Sequence, residues 1–173
     1  MSDRKHDFLI DTSFHIAHFF SDQDQHSIAH GAIEYIRKKY RCCGFITTHL
    51  IFLETFSTVL HGANFKRAVP DKKQRKKFAD ALCQDIIKHC EIRAVPESMF
   101  LDIWNLYTDP VNIKKGFEYV DCSSFVYARD IRKKQYDKHK IDFDGVLSFN
   151  PRHFNDKVGK EFNFKVFDYS VLA

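Results

Sequence analysis

The sequence is poor in the residues that interrupt regular structure. Among its 173 residues there are only 6 glycines and 4 prolines. This scarcity argues against a sandwich of many short strands and against a disordered linker protein. Phenylalanine, by contrast, occurs 18 times, and 44% of the residues are hydrophobic. The composition therefore predicts a phenylalanine-rich core within one compact domain that spans residues 1–173.

Several patterns that would assign the chain to other classes are also missing. The five cysteines are odd in number and form no CxxC pair, so neither a disulfide framework nor a zinc ribbon is predicted. There is no HExxH motif and no glycine-rich phosphate loop. The first residues, MSDRKHDFLID, are charged and lead directly into a strand, and no apolar run approaches membrane-spanning length. We expect a cytoplasmic protein with reduced thiols and no membrane association.

Short hydrophobic runs alternate with segments of helical periodicity. Strands are predicted at 8–10, 44–48, 92–95, 146–149 and 164–167. Helices are predicted at 12–20, 27–40, 50–60, 70–90 and 96–106 and from residue 121 onward, with loops at 62–70 and 108–116. Strands that alternate with helices indicate βαβ units. The sequence therefore predicts an α/β fold, a three-layer α/β/α arrangement with a mostly parallel central sheet.

Three acidic residues lie where a strand ends or a helix begins. Asp11 follows the first strand, Glu54 lies in the apolar helix segment LIFLETF, and Asp121 precedes a helix. A parallel sheet gathers the ends of its strands at one edge, so these carboxylates are predicted to converge. Converged carboxylates repel one another, and Mg²⁺ or Mn²⁺ with oxygen ligands is the usual remedy. Taken singly, Asp11 and Asp121 also suit helix caps, whereas Glu54 among apolar residues requires a partner.

Positive charge is concentrated in two runs, although the formal net charge is only +4. The first run is Lys72, Lys73, Arg75, Lys76 and Lys77, and the second is Arg129, Arg132, Lys133, Lys134, Lys138 and Lys140. Judged alone, such a run is more often a solvated helix face than a nucleic-acid surface. Beside a carboxylate site it favours nucleic acid, because a polyanion must be held by positive charge away from the metal.

These segments resemble the PIN-domain ribonucleases, and among them the VapC-type toxins of toxin–antitoxin pairs. FLIDTSFHIAHF is similar to the opening strand of the family, THLIFLETFSTVL to its Glu-bearing helix, YVDCSSFVYARD to the segment with the third acid, and VLSFNPRHF to the closing strand. The order and spacing of the segments carry the resemblance over nearly the whole chain. It implies a metal-dependent endoribonuclease that leaves 5′-phosphate and 3′-hydroxyl ends, forms a homodimer and is inhibited by a cognate antitoxin protein.

The residues and the resemblance together predict the site. The predicted catalytic residues are Asp11, Ser13, Glu54, Asp121, Ser124 and Asn150. Asp11, Glu54 and Asp121 would hold Mg²⁺ or Mn²⁺. The hydroxyls of Ser13 and Ser124 would orient ligands or water. The predicted contacts to RNA, single-stranded or structured, are Lys72, Lys73, Arg75, Lys76, Lys77, Arg152 and His153.

Asn150 departs from the family pattern, which usually has a fourth acid at this place. An amide keeps an oxygen ligand but loses a charge, so a lower metal affinity is expected. Asp142 and Asp144 precede the last strand while Asn150 follows it, which puts them roughly 20 Å from the site edge at ~3.3 Å per residue. Two hypotheses follow: a ribonuclease weakened at Asn150, or a catalytically inactive PIN-like module that binds nucleic acid or a protein.

Overall fold

The structure is a computed structural model, which describes residues 6–139 and 142–172 except for the side chains of 132–139, 142 and 143. The strands are β1 (His6–Ile10), β2 (Cys43–Thr48), β3 (Glu91–Arg93) and β4 (Asp142–Leu147). The helices are α1 (Thr12–Phe19), α2 (His26–Lys39), α3 (His49–His61), α4 (Ala63–Ala68), α5 (Lys72–His89), α6 (Phe100–Thr108), α7 (Pro110–Lys115), α8 (Tyr119–His139) and α9 (Asp156–Glu161). Short 3₁₀ helices cover Glu97–Met99 and Tyr169–Leu172. No helix within the described residues is long and apolar enough to cross a bilayer.

The sheet is parallel, as predicted, with the strand order β3-β2-β1-β4. The strand predicted at 164–167 is reduced to a single bridge between Val146 and Val166. The chain runs outward from β1 to β3 and then returns to the other side of β1 to form β4. The strand order thus reverses between β1 and β4, and ligand sites of open α/β sheets lie outside the carboxyl ends of the strands at such a point.

A β-bulge shifts the register between β1 and β4. Asp7 pairs with Phe143, but the next residue, Phe8, pairs with Gly145, so the register skips Asp144. Gly145 has φ of +152°, and a Cβ atom there would lie 3.1 Å from the backbone oxygen of Lys165, so this position suits glycine.

Asp144, the residue that the register skips, lies at the amino-terminal end of β1. Asp144 Oδ2 lies 2.6 Å from Nδ1 of His6, the first residue of β1. Because Asp11 follows the last residue of this strand, the expectation that Asp144 lies away from the candidate site is confirmed. The side chain of Asp142 is outside the described part of the chain.

Alternate residues of the strands face two different helical layers. Phe8 and Ile10 pack into one cluster with residues of α1 and α2, whereas Leu9 packs into another with residues of α3, α6 and α8. This period-two alternation places apolar side chains on both faces of the sheet. The predicted α/β/α arrangement is confirmed. A third cluster, which includes Val59 and Leu82, joins α3 to α5.

Both predicted loops contain helices, so these two predictions are wrong. The segment 62–70 includes α4, and the segment 108–116 includes α7. Asp109 caps α7 by accepting from the N–H of Val111 at 2.7 Å, Pro110 occupies the first turn, and Gly116 ends the helix with φ of +74°. Proline and glycine here mark the start and the stop of a short helix rather than a loop.

Candidate active site

Asp11 lies at the carboxyl end of β1 and caps α1. Its backbone N–H donates to the oxygen of Leu147 at 3.0 Å, which continues the pairing of β1 with β4. Its Oδ2 atom accepts from the N–H of Ser13 at 3.3 Å, from Ser13 Oγ at 2.8 Å and from Ser148 Oγ at 2.9 Å. Burial nevertheless raises the pKa of Asp11, because the residue is only 6% exposed. Asp11 therefore serves both as a helix cap and as a desolvated carboxylate.

Two hydroxyl groups hold the segment after β4 against the start of α1. The Oγ atoms of Ser13 and Ser148 lie 3.1 Å apart. The N–H of Phe149 donates to Ser13 Oγ at 2.9 Å, and the N–H of Asn150 donates to Ser148 Oγ at 3.0 Å. The structure thus places Ser13 at the site, as predicted. Ser148 was not predicted as a site residue. Its position directly after the last strand, where the strand order reverses, is the signal that could have identified it.

Glu54 is the carboxylate whose ionisation is most strongly perturbed. It is half-buried on α3, and its Oε2 atom accepts from the hydroxyl of Thr12, which supplies the partner that its apolar surroundings require. Burial, followed by the negative charges of Asp11, Asp121 and Glu118, raises the pKa of Glu54 from 4.5 to about 7. The three carboxylates predicted to converge therefore lie close enough to influence one another.

Asp121 lies in the first turn of α8. Its Oδ2 atom accepts from the backbone N–H of Glu118 at 2.8 Å, which is half of a capping box, and lies 2.9 Å from Nδ1 of His153. Burial raises the pKa of Asp121, while the N–H of Glu118 and the His153 ring oppose this rise. The capping interpretation is thus confirmed for Asp121, as for Asp11, and the role of both carboxylates as metal ligands stays a prediction.

His153 connects Asn150 to Asp121. Its Nδ1 atom lies 2.9 Å from Oδ2 of Asp121 and 3.1 Å from the amide Nδ2 of Asn150. One ring nitrogen cannot donate to the first and accept from the second at once. If Nδ1–H donates to Asp121, it has no lone pair for the amide nitrogen of Asn150, and a flipped amide would place its oxygen toward this N–H instead.

The His153 ring is buried, with 9% exposure, and its Nε2 atom has no hydrogen-bond partner within the described residues. The prediction that His153 contacts RNA does not fit this burial. The ring instead belongs to the carboxylate site, since its other nitrogen contacts Asp121. Sequence reasoning missed this pairing because nothing in the spacing of the two residues relates them.

The donor chemistry of the site suits a hard divalent cation. Within the described residues, no group of three acidic, histidine or cysteine side chains is already arranged to hold an ion. Asp11 bonds to serine hydroxyls, Glu54 to a threonine hydroxyl and Asp121 to an imidazole. All three carboxylates nevertheless have raised pKa values, and mutual repulsion contributes for Glu54 and Asp121. Mg²⁺ or Mn²⁺ would relieve that repulsion if the carboxylates exchanged some of these partners for the ion.

Ser124 is not part of this network. It is buried in α8, and its hydroxyl donates to the backbone oxygen of Val120 at 2.9 Å, one turn earlier in the same helix. A buried serine in a helix commonly satisfies its hydroxyl in this way. The prediction that Ser124 orients ligands or water is therefore not supported by its hydrogen bonding.

Arg75 differs from the other members of the first basic run. It is buried, with 7% exposure, and its guanidinium donates to the backbone oxygens of Leu60 at 3.1 Å, Val69 at 2.6 Å and Pro70 at 2.7 Å. The side chain thus ties the end of α3 to the turn between α4 and α5. The prediction that Arg75 contacts RNA is corrected, because these backbone carbonyls engage its guanidinium.

The remaining members of that run are exposed on α5. They are Lys72, Lys73, Lys76 and Lys77. Lys76 pairs with Asp80 at 2.7 Å across one helical turn, an exposed pair of small energetic weight. Their role in RNA binding stays a prediction, as does that of the exposed Arg152, whose guanidinium lies against Gly116.

The second basic run can be placed only at its first residue. Arg129 lies in α8 and pairs with Asp102 at 2.6 Å and with Asp130 at 3.2 Å. The side chains of Arg132, Lys133, Lys134 and Lys138, and the whole of Lys140, lie outside the described residues.

The fold and the placement of the acidic residues define a class of structure. A parallel sheet in the order β3-β2-β1-β4 between two helical layers, with carboxylates where the strand order reverses, is a PIN-like fold. No protein-family profile and no curated protein matches the sequence. Among solved structures, the chain is similar to Mycobacterium tuberculosis VapC20, a sarcin–ricin loop cleaving toxin, with a TM-score of 0.55 and 15% identity over 84% of this chain and 92% of that one. At this identity the likeness shows the fold alone.

Proposed function

We propose that the chain is a metal-dependent endoribonuclease of the PIN type. The observation that carries this proposal is the cluster formed by Asp11, Glu54 and Asp121, three acids whose pKa values are all raised at the ligand-binding edge of the sheet. Helix capping alone would not require carboxylates to lie close enough to raise one another's pKa values, so their convergence points to a bound cation. The likeness in fold to a toxin that cleaves the sarcin–ricin loop gives independent support.

Each carboxylate has a neighbour that fixes its orientation. Ser13 and Ser148 hold Asp11, Thr12 holds Glu54, and His153 holds Asp121. Such partners reduce the reorganisation that is needed when charge develops in the transition state. Bound Mg²⁺ or Mn²⁺ would supply Lewis-acid chemistry, a lower pKa for the attacking water and compensation of phosphoryl charge.

Glu54 is the group best suited to exchange a proton near neutral pH. Its pKa of about 7 in the metal-free protein means that a proton and a metal ion compete for this carboxyl group near neutral pH. Because the Thr12 hydroxyl donates to Oε2, a proton on this carboxyl group belongs on Oε1. An ion bound by the same group would lower its pKa and favour the carboxylate form.

The proposal is tested by incubating single-stranded RNA with the purified chain in Mn²⁺, in Mg²⁺ and in EDTA. Cleavage that requires the ion and leaves 5′-phosphate and 3′-hydroxyl ends supports the proposal. Asp11→Asn, purified in parallel, is the control for contaminating nucleases, since it retains the cap geometry of Asp11 but lacks its charge. Equal cleavage by both proteins, or none in any metal, would contradict it.

A second candidate function is a PIN-like module that binds nucleic acid or a protein without cleaving. The observation that favours it is the contact of His153 with both Asn150 and Asp121, because the site has an amide where a fourth acid is usual and an imidazole already engages the third acid. Cleavage by Asn150→Asp but not by the natural chain would favour this function. Comparable cleavage by both would favour the enzyme.

A partner protein is also part of the proposal. A groove of about 990 Å³ begins at Ser13 and Phe149 beside the carboxylates and continues past Phe20, Phe65 and Phe78. Its described lining residues include a single charged side chain, that of Asp22, so the groove suits an apolar protein segment better than a polyanion. We assign it to a cognate antitoxin, which would cover the site as it binds.

The toxin assignment is tested in vivo and in solution. Expression of the natural chain alone should arrest growth of its host, while expression of Asp11→Asn should not. Arrest by both proteins would contradict a toxin that acts through this site. The homodimer implied by the resemblance and the cytoplasmic location expected from the cysteine pattern remain proposals, to be checked by sedimentation and by fractionation of cells.

A further inference from the structure

Helix α6 exposes large aromatic side chains to solvent. Its inner face buries Ile103 completely, whereas Trp104 is 57% exposed and Tyr107 is 37% exposed. Trp104 is the one tryptophan of the chain. Large apolar side chains are unfavourable in water. Where several of them lie next to one another on the surface, they usually mark a site that a binding partner covers.

These rings lead from α6 to the candidate active site. The ring centroids of Trp104 and Tyr107 lie 6.3 Å apart, and those of Tyr107 and Tyr119 lie 5.7 Å apart. Tyr119 is the first residue of α8 and precedes Asp121 by two positions. The aromatic platform, defined as Trp104, Tyr107 and Tyr119, therefore reaches the first turn of the helix that carries Asp121.

We infer that the aromatic platform stacks unpaired bases of an RNA strand and guides that strand to Asp121. The inference rests on the proposed function and specifies how its substrate is held. Every base has a π-face, so stacking on tyrosine and tryptophan requires no particular sequence. The ring planes are inclined by 55° between Trp104 and Tyr107 and by 82° between Tyr107 and Tyr119, so the rings cannot extend one continuous base stack. They suit bases that are splayed apart and stack singly, as in loops and single strands.

Two exposed cations lie in chain segments that adjoin the platform. Lys114 is exposed at the end of α7, and the exposed Arg152 places its guanidinium against Gly116, three residues before Tyr119. A Cβ atom at Gly116 would lie 2.6 Å from Nη2 of Arg152, so glycine leaves the space that this guanidinium occupies. No ion pair engages Lys114 or Arg152 among the residues that the structure describes. Both cations are therefore available to phosphate oxygens.

The alternative occupant of this surface is a protein. Leu101 on α6 is 70% exposed, and Val111 and Ile113 on α7 are more than half exposed, and aliphatic side chains contribute to a protein interface but do not stack on bases. RNA is favoured because the aromatic rings, rather than the aliphatic side chains, form a connected series from α6 to the start of α8. The exposed guanidinium of Arg152 lies against Gly116, three residues before that start.

The test uses the fluorescence of Trp104, which reports on the platform directly. The full-length chain is titrated in EDTA, where cleavage is absent, with a single-stranded oligoribonucleotide and with a matched oligomer in which abasic spacers replace the bases. Stacking predicts quenching of Trp104 emission by the first and far weaker quenching by the second, since the spacer oligomer retains the phosphates but has no rings.

Variants separate stacking from general apolar contact. Trp104→Leu and Tyr107→Leu keep an apolar side chain but remove the ring, and each should weaken binding of a fluorescently labelled oligomer by about 5- to 150-fold. The matched control is Leu101→Ala, which truncates an even more exposed residue of the same helix and should change the affinity by less than about twofold. Circular dichroism spectra of all variants show whether the fold is retained.

Two results would overturn the inference. The first is quenching that is equal for the abasic and the natural oligomer, or absent for both. The second is self-association in sedimentation that Leu101→Ala and Trp104→Leu both abolish, while neither changes RNA affinity, which would assign the surface to a second copy of the chain. Metal-dependent cleavage without quenching would overturn the platform alone, whereas quenching without cleavage would contradict the proposed ribonuclease and leave the platform standing.

Discussion

The Oγ atom of Ser148 lies 2.9 Å from Oδ2 of Asp11, and these two residues follow the ends of β4 and β1. This contact joins two strands that are adjacent in the sheet but separated by most of the chain. A hydroxyl that donates to a buried carboxylate favours its charged form, although burial has the larger effect here. The contact therefore holds Asp11 in position without removing its capacity to take a cation.

Asp11→Asn should abolish metal-dependent cleavage, by at least about 100-fold, because it removes one of the proposed ligands to the ion. The fold should remain intact, with a free energy of unfolding within about 1 kcal/mol of the natural value or slightly higher, since an amide oxygen still caps α1. Cleavage assays and chemical denaturation in EDTA check both parts. Asp11→Ala is the contrasting variant, because it leaves the donors of Ser13 and Ser148 without their acceptor. A folded and fully active Asp11→Asn protein would show that the site is misassigned.

Glu54→Gln should stabilise the metal-free protein increasingly as the pH rises. The pKa of Glu54 is raised from 4.5 to about 7 in the folded state, so the unfolded chain ionises first and the natural protein loses stability between these two values. The glutamine variant lacks this loss and can still accept from the Thr12 hydroxyl. We expect a gain of about 1–3 kcal/mol above pH 7 and little below pH 4.5, measured by urea denaturation in EDTA. A gain that does not change with pH would show that the charge of Glu54 is not its cause.

Asn150→Asp should tighten binding of Mn²⁺ by about tenfold or more, because a carboxylate attracts a divalent ion in a partly desolvated site more strongly than an amide does. Calorimetry at fixed pH and salt measures the change. Asn155→Asp is the matched control, since it adds the same charge at the cap of α9, where Asn155 accepts from Lys157 N–H. Equal affinity in Asn150→Asp and in the natural chain would mean that residue 150 does not face the ion.

Replacing the four exposed lysines of α5 should weaken RNA binding and flatten its salt dependence. These residues are Lys72, Lys73, Lys76 and Lys77. Their joint replacement by glutamine should lower the slope of log affinity against log salt by up to about 3, because fewer counterions are released. Lys38 and Lys39 serve as a control, since α2 ends next to Tyr40, whose ring lies 4.3 Å from His6 at the opposite edge of the sheet. An unchanged slope in the α5 variant would assign its charge to solubility.

Arg75→Met should destabilise the fold by about 2–4 kcal/mol, because it leaves the backbone oxygens of Leu60, Val69 and Pro70 without the donors that Arg75 supplies. Thermal or urea denaturation gives the value. Lys77→Met, an exposed change in the same helix, should alter stability by less than about 0.5 kcal/mol. Similar values for the two variants would mean that the guanidinium of Arg75 contributes little.

The sequence predicts the sheet and the placement of the acidic residues well because both depend on local patterns. Short apolar runs predict the strands. Because the strands are parallel, the residues that follow them lie at the same edge of the sheet. The positions of Asp11 and Ser13 at the end of β1 therefore follow from the sequence alone. The same reasoning found Glu54, since a carboxylate among large apolar side chains needs a partner.

The sequence could not predict relations that depend on tertiary packing. The contact of His153 with Asp121 joins the turn after β4 to the start of α8, and no periodicity connects them. The burial of Arg75 depends on how α3 and the turn after α4 pack around it, so its guanidinium could not be distinguished from the lysines beside it. Ser124 was misjudged for a related reason, because the direction of a helical side chain follows from packing rather than from its distance to an acid.

The bulge at Asp144 sets which residue of the last strand arrives level with Asp11. Continued without the skip, the pairing of Asp7 with Phe143 would bring Val146 opposite Ile10, the position that Leu147 holds. Side chains alternate along a strand, so Val146 and Leu147 would exchange helical layers and the Ser148 hydroxyl would move beyond its carboxylate. Deleting Asp144 itself would remove the bulge and leave Leu147 opposite Ile10, whereas one residue added beside Gly145 would shift Ser148 away from Asp11 and disable the site without touching any of its residues. Tolerance to insertion, rather than to substitution, is the property in which this distant segment should behave as part of the site.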